Sequence, residues 1–251
     1  MKLKRVLGLG LCLCLLWFCG GEEKEQAASA TSTDYNDLIQ LFKEFRVYQK
    51  PEMVNGVPDY TQEAMTQQIA ELTEYRLNLD NIDPSGWPIE QRVDYEILHA
   101  EMNGLEFDHR VLRPWSRDPS FYAVVTTYEP DVPAREGPEI YGVLYFPDYE
   151  FPLEGEQKEE FALKLRAIPD LLAQAKENLT DKGKDLWYYG IQQKDREMGV
   201  LSGLSQRFSE TTPDLVVLVD AAKEAVVDFK SWLEEEYKSM PQTSDGIGVE
   251  N

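Results

Sequence analysis

Apolar residues recur at helical spacing through most of the chain after residue 34, and the pattern predicts an all-α array of about six to eight helices. Leu38, Leu41, Phe42 and Phe45 form one stripe, stopped by Pro51. Met65, Ile69, Leu72 and Leu79 form a second, with Thr61 placed to cap it. Asp83-Pro84-Ser85-Gly86 reads as a turn, and Pro88 suits the first position of the next helix. That helix, about Pro88 to Val111, has two apolar faces. Ile89, Val93, Ala100, Phe107 and Val111 cluster on one side, and Leu98, Met102, Leu105 and Leu112 on nearly the other. Such a helix is expected to sit between neighbours and to be the most buried of the array.

Residues 113–152 break the rhythm. Seven prolines (Pro114, Pro119, Pro130, Pro133, Pro138, Pro147 and Pro152) mark one irregular insertion. Within it, Phe121 to Tyr128 and Ile140 to Phe146 have strand-like composition, expected either to pair as a short hairpin or to line the surface as loops. Helical spacing returns at Phe161, Leu165, Ile168, Leu172, Ala175 and Leu179, running through Pro169, which predicts a kinked pair of helices. Trp187, Ile191, Met198 and Leu201 mark another helix. In the last one Thr212 caps, Pro213 takes the first position, and Leu215 to Tyr237 hold a single stripe before Pro241.

The start of the chain changes the picture. Lys2, Lys4 and Arg5 precede the apolar run Val6 to Phe18, which is too short for a permanent span but suits the core of an export signal. Cys19 closes the run, followed by Gly20, Gly21 and Glu22, as at the cleavage and acylation site of a bacterial lipoprotein. Leu16 fits the usual residue three places before the cysteine, whereas Trp17 and Phe18 are bulkier than usual. An uncleaved apolar anchor is the alternative. Residues 1–18 are therefore expected to be a signal peptide, with Cys19 the lipid attachment. Residues 19–33, polar and free of aromatics, would form a tether, and residues 34–251 a helical domain. The implied address is the bacterial cell envelope, lipid-anchored, facing periplasm or exterior.

Cysteine and charge narrow the partners. Cys12, Cys14 and Cys19 are the three cysteines, so cleavage before Cys19 leaves no thiol pair for a disulfide or a thiolate metal site. The net charge is −21, and loss of Lys2, Lys4 and Arg5 with the signal takes it to −24. Such a surface repels phosphate backbones and excludes nucleic acid as a partner. The membrane would be reached through lipid alone.

Candidate chemistry is sparse. His99 and His109 lie roughly 15 Å apart along one helix and cannot share a metal. Asp94, Glu101 and Asp108, joined by Glu90, form a polar wedge between the two apolar faces. They are either a pair-forming acid/base group or, more ordinarily, a solvated edge with ionic partners. Arg113, Trp115 and Arg117 are the best candidates for substrate or partner contact. Two arginines beside a Trp can grip a carboxylate such as a peptide terminus. The competing reading has Trp115 anchored in the core and both arginines paired with local acids.

Three phrases carry a resemblance: Asn81-Ile82-Asp83-Pro84-Ser85-Gly86-Trp87, Asp94-Tyr95-Glu96-Ile97-Leu98-His99-Ala100-Glu101-Met102-Asn103, and Arg113-Pro114-Trp115-Ser116-Arg117-Asp118-Pro119. Together they resemble the N-terminal region of the domain of unknown function 885 family, over about residues 34–251. The resemblance implies a largely helical bacterial protein similar to gluzincin-type zinc metallopeptidases. The family's metal motif, a His-Glu pair followed by Pro-Gly-His-His, has no counterpart here. No catalytic, cofactor or metal residue therefore carries over. The expectation is an N-terminal scaffold of a longer, lipid-anchored protein, with zinc and a peptide substrate belonging to the full-length form. The alternative is a non-enzymatic helical lipoprotein that binds a peptide or protein partner.

Overall fold

A computed structural model describes residues 31–127 and 142–241. The expected signal peptide, Cys19 and most of the expected tether lie outside the described residues, as do Tyr128, Pro130, Pro133, Pro138, Ile140, Tyr141 and the last ten positions. Thr31–Asn251 forms one compact unit, and its helical content bears out the all-α expectation.

Three helices build the first half. α1 (Tyr35–Tyr48) begins where the Asp34 carboxylate accepts the Asn36 amide, and α2 (Gln62–Asp80) begins where the Thr61 hydroxyl accepts the Ala64 amide. Between them, β1 (Met53–Val54) and β2 (Val57–Pro58) make a tight antiparallel hairpin. α3 (Ile89–Phe107) starts one residue after Pro88. Leu38, Leu41 and Phe45 of α1 bury against Leu72 and Leu79 of α2 and Leu98 and Met102 of α3. Each such side chain contributes about 1.5–3 kcal/mol on leaving water. The Tyr48 and Tyr75 rings stack 4.4 Å apart at the edge of this core. The entering chain is pinned by Trp87, whose Nε1 donates to the Thr33 carbonyl at 2.7 Å.

α3 corrects one expectation. It is peripheral, with only Leu98 and Met102 fully buried, while Ile89, Val93 and Ile97 are 64%, 51% and 52% exposed. Its second apolar face meets α1 and α2. Of the first, Phe107 and Val111 are half-buried, while Ile89, Val93 and Ala100 stay exposed because the later helices bury their apolar stripes against one another.

Those later helices are α5 (Gly155–Asn178), α6 (Lys184–Thr211) and α7 (Pro213–Ser239). Cross-helix pairs give their directions. Ser205 bonds Asp220 and Lys230 pairs with Asp195, so α6 and α7 run antiparallel. Lys158 pairs with Asp214 and Lys176 with Asp228, so α5 runs parallel to α7. Exposed pairs of this kind contribute little to stability. The weight lies in Phe161, Ile168, Trp187, Leu201, Phe208, Val219, Val226, Phe229 and Leu233, all fully buried.

α5 is a single helix through Pro169, not the expected pair. Proline removes one backbone bond at a cost of about 3 kcal/mol. Burial of Leu165, Ala167, Ile168, Leu171 and Leu172 on both sides of it offsets that loss. Thr212 stands at the N-cap of α7, yet its hydroxyl faces Thr211 and caps no helical amide.

A π turn (Asp108–Leu112) leads from α3 into the proline-rich insertion, which contains the short helix α4 (Pro114–Arg117) and a 3-10 turn (Pro119–Tyr122). The strands β3 (Val125–Thr126) and β4 (Leu144–Tyr145) follow. The strands pair in parallel, so the hairpin expectation fails. Nor do they line the surface: Tyr122, Val124 and Leu144 are fully buried against the helices. Long connections can join parallel strands, whereas a tight hairpin cannot.

Gly190 of α6 lets this insertion approach. A Cβ there would fall 2.6 Å from Pro119 Cβ, a ring atom tied to its own backbone. Gly190→Ala should gain about 1 kcal/mol of helix propensity yet lose about 1–3 kcal/mol to overpacking. A lower urea midpoint is the expected net result. A raised midpoint would show that Pro119 moves aside freely.

Candidate functional site

The segment between α3 and α5 gathers the polar chemistry. Arg113 adopts a left-handed conformation at φ 42°, which turns the chain sharply out of the π turn. Its guanidinium reaches Asp181 Oδ2 at 2.8 Å, and the Ser116 hydroxyl donates to the same oxygen at 2.9 Å. The Asp181 amide in turn donates to the Ser116 carbonyl. Arg117 donates to the carbonyls of Val111 and Leu112, which the π turn leaves open. Trp115 is buried, its ring 4.8 Å from His109, and Tyr122 donates to its carbonyl. This is the anchored arrangement: Trp115 in the core and Arg113 on a local acid. The Arg113 side chain stays 47% exposed.

His109 lies beneath this loop, its Nε2 2.8 Å from Gln68 Oε1. Burial lowers its pKa from the ordinary 6.5 to about 4. The folded protein thus favours the neutral ring, while the unfolded chain takes up a proton near the ordinary value. The resulting stability is whole above about pH 6.5 and is lost as pH falls toward about 4. Between pH 7 and pH 4 the protein should lose about 2 kcal/mol more than a His109→Gln variant, by urea unfolding at each pH. Equal losses would mean that His109 does not titrate with unfolding.

The carboxylate wedge of α3 is not brought together for acid/base work. Asp94 accepts from the Tyr35 hydroxyl and Glu101 pairs with Arg46 at 3.4 Å, both across the seam with α1. Burial pushes the Asp108 carboxyl up. His99 meets Asn103 on its own helix. The two histidines therefore do not fit the zinc site that the family resemblance implies. Among the described residues no three His, Cys, Asp or Glu side chains gather to hold a metal.

Two features escaped the sequence reading. The first is a buried ion pair on α6: Lys194 Nζ lies 2.8 Å from Glu197 Oε2, with the residues at most 2% exposed. Lys194 also donates to the Tyr122 carbonyl at 2.6 Å, and Glu197 Oε1 accepts the Val124 amide at 3.1 Å. Together they fasten the insertion to the helix. The nearby Asp118 carboxyl is pushed up by burial, opposed by its bonds to Ser120 and by the charges of Arg117 and Lys194. The missed signal was positional. Lys194 falls on the stripe Trp187, Ile191, Met198 and Leu201, where a lysine is out of place unless paired.

The second feature is a cleft of about 330 Å³ between the end of α1, the residues flanking the β1–β2 hairpin and the first half of α2. Glu52, Asp59, Glu63 and Glu71 line it against the single cation Lys50. Tyr48 donates to the Gln68 carbonyl, and Gln68 Nε2 returns to the carbonyls of Tyr48 and Gln49. His109 holds the same glutamine from behind, so the cleft floor and the Trp115 loop share one network. Burial, then Glu71 and Tyr75, raise the Tyr48 hydroxyl pKa well above its usual range. The lining suits a basic side chain; it sets no nucleophile against a base.

The fold has a solved likeness. It is "the structure of a putative lipoprotein of unknown function from Shewanella oneidensis", with a TM-score of 0.56 and 14% identity. The match covers 82% of this chain and 38% of that one, so the chain spans well under half the length of its structural neighbour. No protein-family profile and no curated protein matches the sequence. At this identity the likeness establishes a shared helical fold. No described helix is long and apolar enough to cross a membrane.

Proposed function

We propose that this chain is the N-terminal helical scaffold of an exported protein held to the bacterial envelope by lipid on Cys19. The carrying observation is the fold shared over 82% of the chain with a protein described as a lipoprotein, of which it spans 38%. The basic start, the apolar run Val6 to Phe18 and the polar exit after Cys19 support the same reading. In this reading the scaffold forms one wall of a substrate cleft of the zinc metallopeptidase kind. Metal and general base come from residues outside this chain, since zinc hydrolysis needs three converging ligands and a base.

Purified Thr31–Asn251 should retain no zinc through dialysis against a weak chelator and should cleave no peptide. Stoichiometric retained zinc, measured by elemental analysis, would overturn the assignment of the metal to residues elsewhere. The acidic cleft favours a second reading, a non-enzymatic helical lipoprotein that takes up basic side chains of a peptide or protein partner. Zinc-dependent hydrolysis by the whole gene product decides for the scaffold; a stable gene product that binds peptide without cleaving it decides for the second.

A further inference from the structure

We infer that the exposed row of α3 from Ile89 to Gly104 docks an amphipathic helix of another polypeptide, one whose apolar stripe is bordered by lysine and arginine. At 100° per residue, Ile89, Val93, Ile97 and Ala100 form a single row about 17 Å long, three turns of helix. Ile89, Val93 and Ile97 are each more than half exposed. Gly104 continues the row, and a Cβ placed on it would meet nothing within 4 Å, so a partner backbone can approach closely there. Rows of this spacing are the form in which helices present themselves to helices.

The face is also held still. Tyr35, Phe42 and Arg46 share one side of α1, and Tyr35 and Arg46 grip Asp94 and Glu101 of α3. Phe42 lies between those two grips and is 44% exposed, which places a further apolar group along the same seam. A surface fixed in this way loses little freedom on binding.

Charge selects the partner. Between Ile89 and Gly104 the helix carries Glu90, Asp94, Glu96 and Glu101 against one cation, Arg92. Glu90, Asp94 and Glu101 project along one flank of the row, and Glu96 with Arg92 along the other, so the first flank is the acidic one. A second copy of this chain would bring carboxylates to carboxylates, within a molecule already at −21. Anionic lipid is repelled for the same reason. A helix with lysine and arginine beside its stripe places those charges opposite Glu90 and Asp94, and Glu96 beside the row, while burying the row. The inference does not depend on the lipid anchor or on the metallopeptidase scaffold, and each can fail without the other.

The test uses Thr31–Asn251 and an 18-residue leucine/lysine peptide with leucine at helical spacing. Two controls accompany it: a leucine/glutamate peptide of the same pattern and a leucine/lysine peptide scrambled to abolish the stripe. Calorimetric titration should show binding of the first peptide, weakened at least about tenfold for either control. Val93→Gln with Ile97→Gln should weaken it by a similar factor, with circular dichroism and melting unchanged, because both side chains already face water. Ile89→Gln alone, at the most exposed position, serves as the milder second variant and should weaken binding a few fold. Equal binding by the double variant, or by the scrambled peptide, overturns the inference. Co-sedimentation with phosphatidylcholine vesicles that is lost in the double variant, without peptide binding, overturns it in favour of lipid.

Discussion

Lys194→Met should cost the protein about 3–5 kcal/mol of unfolding free energy, far more than loss of any exposed ion pair. The substitution leaves Glu197 charged and shut away from water, and it removes the donor to the Tyr122 carbonyl. The Val124 amide would still point at that carboxylate, so part of the insertion stays attached while its other fastening is gone. Replacing both residues, Lys194→Met with Glu197→Leu, should recover a large part of the loss, because a well-packed apolar pair avoids the desolvation of two charges. Urea unfolding of wild type, single and double variants measures this directly. A single-variant loss under about 1 kcal/mol would mean that the pair is solvated and that the insertion is held by packing alone.

Phe161→Ala should be comparably damaging, at about 3–5 kcal/mol. The ring is fully buried and meets four others: Tyr149 at 4.9 Å, Phe208 at 5.8 Å, Phe146 at 6.0 Å and Phe151 at 6.1 Å. Three of those rings belong to the end of the insertion and one to α6. The ring on α5 is thus the common anchor of two parts of the molecule, and the cavity left behind lies between elements that cannot close on it together. Loss of near-ultraviolet dichroism and faster proteolysis near residues 146–153 should accompany the drop in stability. A loss under about 1 kcal/mol, with the dichroism kept, would show that the surrounding rings repack.

What the sequence made legible was the work of periodicity. The stripes of α1, α2, α5, α6 and α7 bury most of the residues that their spacing selects, Phe42 of α1 being an exception at 44% exposed, and the Thr61 cap and the Trp115 anchor fall where side-chain chemistry puts them. Periodicity says that a face is apolar, not what covers it. For that reason the two-faced α3 was expected at the centre, and it stands at the edge with Ile89, Val93 and Ile97 in water. The insertion failed differently: strand composition gave no pairing direction, and the parallel match of Val125 with Leu144 depends on helices far away in sequence. Pro169 predicts a kinked pair of helices when its local cost is weighed without the burial on either side of it, and that burial keeps α5 a single helix. In the candidate site, Arg113, Trp115 and Arg117 share one short stretch of sequence, but Asp181, which accepts from Arg113 and Ser116, comes from the loop before α6 and left no local signal. The acidic cleft is likewise assembled from two stretches, 48–52 and 59–71, on either side of the β1–β2 hairpin.

The central claim, a helical domain held to the envelope through Cys19, is tested most directly by intact-mass measurement on protein extracted in detergent from a bacterial host. The account predicts a chain that begins at Cys19 and carries added acyl mass, and a Cys19→Ser variant that remains at the full precursor mass. A wild-type mass matching residues 1–251 without lipid, or matching cleavage after Ala30 with no added lipid, would contradict it.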